Sequence, residues 1–169
     1  MRRLLNALYD GSAALAALAM VALLVAVLLS VAGRQLGFNV PGIDSYAGFL
    51  LAATGFLSLA HTLKRGEHIR VTLLVQALHG KPQRALEIWT LVAGVLLSGL
   101  FAYYSARLAW QSHEFNDVST GIDATPLWMP QLSMAVGAFV LLVAMVDELL
   151  LELMGRRRPP ASDEPLRNE

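Results

Sequence analysis

Ser12 to Gly33 reads SAALAALAMVALLVAVLLSVAG, with no ionisable side chain anywhere in it. The hydrocarbon core of a bilayer is about 30 Å thick and takes about 20 apolar residues in a helix, so this stretch is long enough to cross it. A cleavable secretory signal is the competing reading, because Arg2 and Arg3 precede the run and alanine is abundant in it. A signal's apolar region is shorter, about 7–15 residues, and ends at a small-residue cleavage site. No convincing site follows before Arg34, so the stretch is read as a retained membrane helix.

Three further runs match it. They are Tyr46 to Leu63, slightly short and carrying His61 near its end, then Ile88 to Trp110, and Leu127 to Met154. Pro41-Gly42, Gly80-Lys81-Pro82 and the segment from Pro126 to Pro130 punctuate the boundaries, as turn-forming residues do. The whole chain agrees: of 169 residues 56% are hydrophobic and 15% charged, and the mean hydropathy is +0.53, outside the range of an ordinary soluble domain of this size. The expected fold is therefore all-α with four transmembrane helices over residues 1–155 and a polar tail over 156–169.

Positive charge sets the expected orientation. Arg2 and Arg3, then Lys64, Arg65, Arg70, Lys81 and Arg84, then Arg156, Arg157 and Arg158 fall on one side; the other side has Arg34 and the acidic loop containing Glu114, Asp117 and Asp123. Both termini are expected in the cytoplasm. LKRGEHIRV, Leu63 to Val71, thus has topology as its first role. After it, Val71, Leu74, Val75 and Leu78 share one helical face, and His68, Thr72, Gln76 and His79 line the other. That pattern predicts a short amphipathic helix in the headgroup plane between the second and third spans.

The chemistry on offer is sparse. The absence of cysteine removes thiol nucleophiles, disulfides and Cys-type metal sites. Zero formal net charge gives no sign of a nucleic-acid partner. No hydrolase, phosphate-loop or metalloprotease motif occurs, and EFNDVSTGID lacks the acid spacing of a calcium loop. Asp44, Glu87, Arg107, Asp147, Glu148 and Glu152 map near span ends, and His61 is read as a structural, hydrogen-bonded residue. No enzyme activity, cofactor or metal is expected; the chain reads as a subunit. Small residues at four-residue spacing (Thr90, Gly94, Ser98 and Ala102; Ala22, Ala26 and Ser30; Ser133 and Gly137) could serve partner binding or internal packing. Trp89, Trp110, Trp128, Tyr103 and Tyr104 fit interfacial aromatic belts.

Taken in order, RQLGFNVPG before the second span, RGEHIRV after it and PLWMPQLSMAVG opening the fourth resemble the small integral membrane subunit of the tripartite ATP-independent periplasmic (TRAP) transporters. The similarity runs from about Leu15 to Leu153. It implies a scaffold subunit that binds no substrate, supporting a large multi-span permease subunit with the sodium and substrate sites, to which a periplasmic solute-binding protein delivers an organic acid. The implied location is the bacterial cytoplasmic membrane, in contact with lipid. By position, Arg34 matches the family's basic residue after the first span and Pro41 its turn proline. His68 and Arg70 match its Gly-x-His-Ile-Arg segment, with Glu67 where glycine is common. Pro126, Trp128 and Pro130 match its Pro-x-Trp-x-Pro entry. Asp44 followed by Ser45 replaces a Ser-Glu-Glu-like acidic entry, so one acid is missing. These residues, with Leu74, are the interface candidates. Two rivals are an independent transporter of the four-helix multidrug type, which needs an embedded carboxylate in the first span, and a membrane redox subunit, which needs facing histidines.

Overall fold

The computed structural model describes residues 2–38, 40–65, 81–121 and 124–155. These form four helices, α1 (Arg2–Leu36), α2 (Ile43–Arg65), α3 (Lys81–Glu114) and α4 (Trp128–Leu153). All four are long and apolar enough to cross a membrane. The first three expected spans lie inside helices, the fourth exceeds α4 by one residue at each end, and the first and third helices run well beyond their spans. Helix ends are set by breakers and not by polarity, because polar residues continue a helix in water or headgroups as readily as apolar ones do. α1 therefore runs on past Gly33, and stops where Gly37 takes φ +76° and the Phe38 N–H donates to the Gly33 carbonyl at 3.0 Å, a Schellman ending. α3 ends the same way with Asn116 (φ +53°) in the left-handed position and the Asp117 N–H on the Ser112 carbonyl. Pro82 and Pro130 both lie in the first turn of their helices, where the missing N–H has no intrahelical acceptor to lose.

The helices stand in a row, α1 on α2, α2 on α4, and α4 on α3, with a slight touch between α1 and α4. α2 and α4 point the same way at the centre of the row: Tyr46 meets Thr125 near their starts, and Lys64 meets Asp147 near their ends. α1 and α3 flank them in the opposite sense. A row leaves its outer helices covered on one side only, which is why Leu24 and Leu28 of α1 and Leu96 and Leu100 of α3 are exposed.

Small residues allow the close approaches. A side chain at Gly137 would meet the Phe56 backbone carbon and oxygen at 2.5 Å, so α4 lies directly against the α2 backbone there. On α3 the face against α4 is Leu91, Ser98, Ala102, Ser105, Ala109 and Ser112, buried at heptad spacing, and Met145 of α4 lies over Gly94. In a bilayer, where hydrophobicity does not drive helices together, such close van der Waals packing is the main attraction. Of the small-residue stripes, Ser98, Ala102 and Gly137 are thus absorbed by internal packing, while Thr90 and Ala22 are exposed. The expected amphipathic helix with His68, Arg70 and Leu74, and the tail from Arg156, lie outside the described residues.

Candidate functional site

Polar side chains collect in two planes, one at each end of the row. The first is built around Lys64, on the last turn of α2, whose ammonium donates to the Asp147 carboxylate and, at 3.1 Å, to the Glu148 carboxylate of α4. The three side chains are 13–24% exposed, so the pairing is largely desolvated. Tyr9 of α1 closes the group from the other side, its ring centroid 5.4 Å from the ammonium and only 3% of the residue exposed. Beneath it, Tyr9, Ala60, Leu63, Val140 and Ala144 form a buried cluster that joins three helices. His61 stands 3.7 Å from Asp10, an approach between α2 and α1. Arg84 of α3 reaches the end of α4, 3.9 Å from the Glu152 carboxylate and within hydrogen-bond range of the Glu152 and Leu153 carbonyls. A cation there meets the orphan carbonyls and the negative end of the helix dipole. Every helix thus contributes to this plane.

Asp147 and Glu148 are not simply solvated residues at a span end, as their position in the chain suggests. Their sequence distance from Lys64 hid the pairing; the one legible signal was that α2 ends in a cation while α4 ends in acids.

The second plane lies at the opposite end. Asp44, in the first turn of α2, accepts a 2.9 Å hydrogen bond from the Ser30 hydroxyl of α1. Arg34, one turn on, has its Nε 3.5 Å from the Ser30 carbonyl. Ser30, Arg34, Pro41 and Asp44, together with Phe38 and Gly121, line a cleft of about 240 Å³. Three of the sequence candidates, Arg34, Pro41 and Asp44, are therefore brought to one place. Gly121 arrives there because the α3–α4 connection folds back: Val118 pairs with Pro126 in an antiparallel bridge, and the Thr125 hydroxyl lies 3.2 Å from that of Tyr46. Trp128 packs edge-on against His113 at 5.4 Å, and the Pro130 carbonyl accepts from the Ser133 hydroxyl at 2.7 Å. Pro126, Trp128 and Pro130 so shape the entry to α4 and do not line the cleft.

The spacing between the planes is that of a bilayer. Asp44 to Lys64 along α2 is about 30 Å and Trp128 to Asp147 along α4 about 29 Å at 1.5 Å per residue, matching a hydrocarbon core of about 30 Å. No Asp or Glu occurs between Asp10 and Arg34 on α1, between Asp44 and Lys64 on α2, between Glu87 and His113 on α3, or between Trp128 and Asp147 on α4. Among the described residues no three His, Asp or Glu side chains converge as metal ligands.

Comparison of the chain with curated proteins gave no match. Comparison with family models matched residues 23–155 to the DctQ component of the tripartite ATP-independent periplasmic transporters. That range covers the second, smaller part of α1, all of α2, α3 and α4, and both polar planes except for Tyr9 and Asp10. A match over 133 of the 169 residues of a four-helix membrane protein assigns it: the chain belongs to the DctQ family, the small permease components of the TRAP transporters.

Proposed function

We propose that this chain is the scaffold subunit of a sodium-coupled importer of organic acids in a bacterial cytoplasmic membrane, with both termini cytoplasmic and residues 156–169 as a polar tail. Its partners are a large permease subunit, which carries the ion and substrate sites, and a periplasmic solute-binding protein. The observation that carries this reading is the acid-free middle of all four helices. Coupling to an ion gradient needs a site whose occupancy differs between two states. In a membrane such a site is commonly built from embedded carboxylates, or from backbone carbonyls freed where a helix is broken. The four helices are continuous through the region between the planes. What the chain does have is rigid cross-linking at both ends, which suits a fixed support. Arg34, Pro41, Asp44, His68, Arg70, Leu74, Pro126, Trp128 and Pro130 are proposed to serve partner contacts or the turns that present them.

Reconstitution tests the reading. The isolated chain in liposomes, given a sodium gradient and loaded binding protein, should show no uptake, and adding the large subunit should restore it. Within the complex, His61→Gln should keep sodium dependence, since His61 only braces α1 against α2. Sodium-driven uptake by the chain alone would overturn the scaffold role.

A further inference from the structure

The face of α3 that points away from α4 carries Leu96, Leu100, Tyr103, Tyr104, Arg107 and Trp110, all exposed, with Trp110 at 75%. Arg107 is the unusual member. It makes no hydrogen bond or ion pair with any described residue, and no acid stands three or four positions from it on the helix. Its depth follows from the packing register: Met145 lies over Gly94, and His113 stacks on Trp128, so the stretch of α3 from about Gly94 to about His113 lies level with α4 between Met145 and Trp128. Arg107 is then about 9 Å inside the nearer plane. An unpaired cation at that depth is costly, and intramembrane charges nearly always face a protein partner. Helical side chains lean toward the amino-terminal end of their helix, which for α3 is the farther membrane face, so reaching the nearer headgroups works against the natural direction.

The residue types point the same way. Tyr, Trp and Arg dominate the energetically important positions of protein interfaces. The outer face of α1 differs: it has no ionisable residue from Gly11 to Gly33 and presents aliphatic Leu18, Leu24, Val25 and Leu28, which suit acyl chains. Resting on the function proposed above, we propose that the outer face of α3 is the docking surface for a membrane-embedded helix of the large permease subunit, and that this helix supplies a carboxylate to Arg107.

The test uses the full chain co-expressed with the large subunit, with a photo-crosslinking amino acid placed at Leu100 or Trp110, and at Leu24 or Leu28 for comparison. Crosslinks to the large subunit are expected from the α3 positions and not from α1. Arg107→Glu should lower affinity for the large subunit by about tenfold or more, and Arg107→Gln by less, with the thermal stability of the isolated chain unchanged. Crosslinks from α1 alone would overturn the assignment and leave the proposed function standing. So would a complex untouched by Arg107→Glu, or an anionic phospholipid that co-purifies with the native chain and is lost in Arg107→Gln while the complex survives. If the native chain does not associate with the large subunit at all, the proposed function falls together with the surface.

Discussion

Replacing Gly137 probes the contact on which the centre of the row depends. A Cβ at this position would lie 2.5 Å from the Phe56 carbon and oxygen and 2.9 Å from its Cβ, where ordinary contacts are 3.4–4 Å. Two of those atoms are backbone and cannot rotate away, so α2 and α4 must part by about 1 Å. Overpacking of this kind costs about 1–3 kcal/mol. Alanine recovers part through helix propensity, at most about 1 kcal/mol. Gly137→Ala should therefore be a net loss of about 1–2 kcal/mol, and Gly137→Val a larger one. The controls are in the same chain: Gly55 has open space around it, and the nearest atom to a Cβ at Gly99 is the Leu142 methyl at 3.7 Å. Gly55→Ala and Gly99→Ala should be neutral or slightly stabilising. Thermal unfolding of the purified protein in detergent gives the ranking, with a drop of roughly 2–4 °C for each kcal/mol. If Gly137→Ala melts with Gly55→Ala, the direct α2–α4 backbone contact is refuted.

The polar planes supply the remaining predictions. Lys64→Met leaves the neighbouring Asp147 and Glu148 carboxylates without their shared cation and should cost about 3 kcal/mol, whereas Asp147→Asn, which leaves Glu148 to neutralise Lys64, should cost less; thermal unfolding of both variants checks the order. Arg84→Ala should lower stability by under about 1 kcal/mol in the same assay, since the arginine side chain is 56% exposed and its pairing is screened. Reporter fusions after Arg65 and after Arg158 should mark the cytoplasm and one after Asp117 the periplasm; a cytoplasmic signal at Asp117 would overturn the proposed orientation.

Four membrane helices, their order and their approximate limits were legible in the chain itself, because crossing a bilayer demands a long apolar run and the runs need no partner to be recognised. The family was legible too, through short motifs that border the apolar runs. The boundaries were less so: α1 and α3 extend past their apolar runs because a helix stops at a Gly37 or an Asn116, and a count of apolar residues does not register that. Which helix stands beside which was decided only in three dimensions. Sequence neighbours α1 and α2 pack together, as do α3 and α4, but the pairing of α2 with α4 depends on Gly137 meeting Phe56 and on Lys64 meeting two acids more than eighty positions away. Small residues at four-residue spacing cannot say whether they face a sister helix or another chain; burial of Ser98 and Ala102 under α4 settles it for α3. The depth of Arg107 was hidden for the same reason. Along the chain it sits near the end of an apolar run, and only the register of α3 on α4 places it about 9 Å inside the polar plane. Hydropathy is a sum over neighbours in sequence and so reports what enters the membrane; the sides on which helices meet are set by shape and by charges paired across it, which are properties of residues distant in the chain.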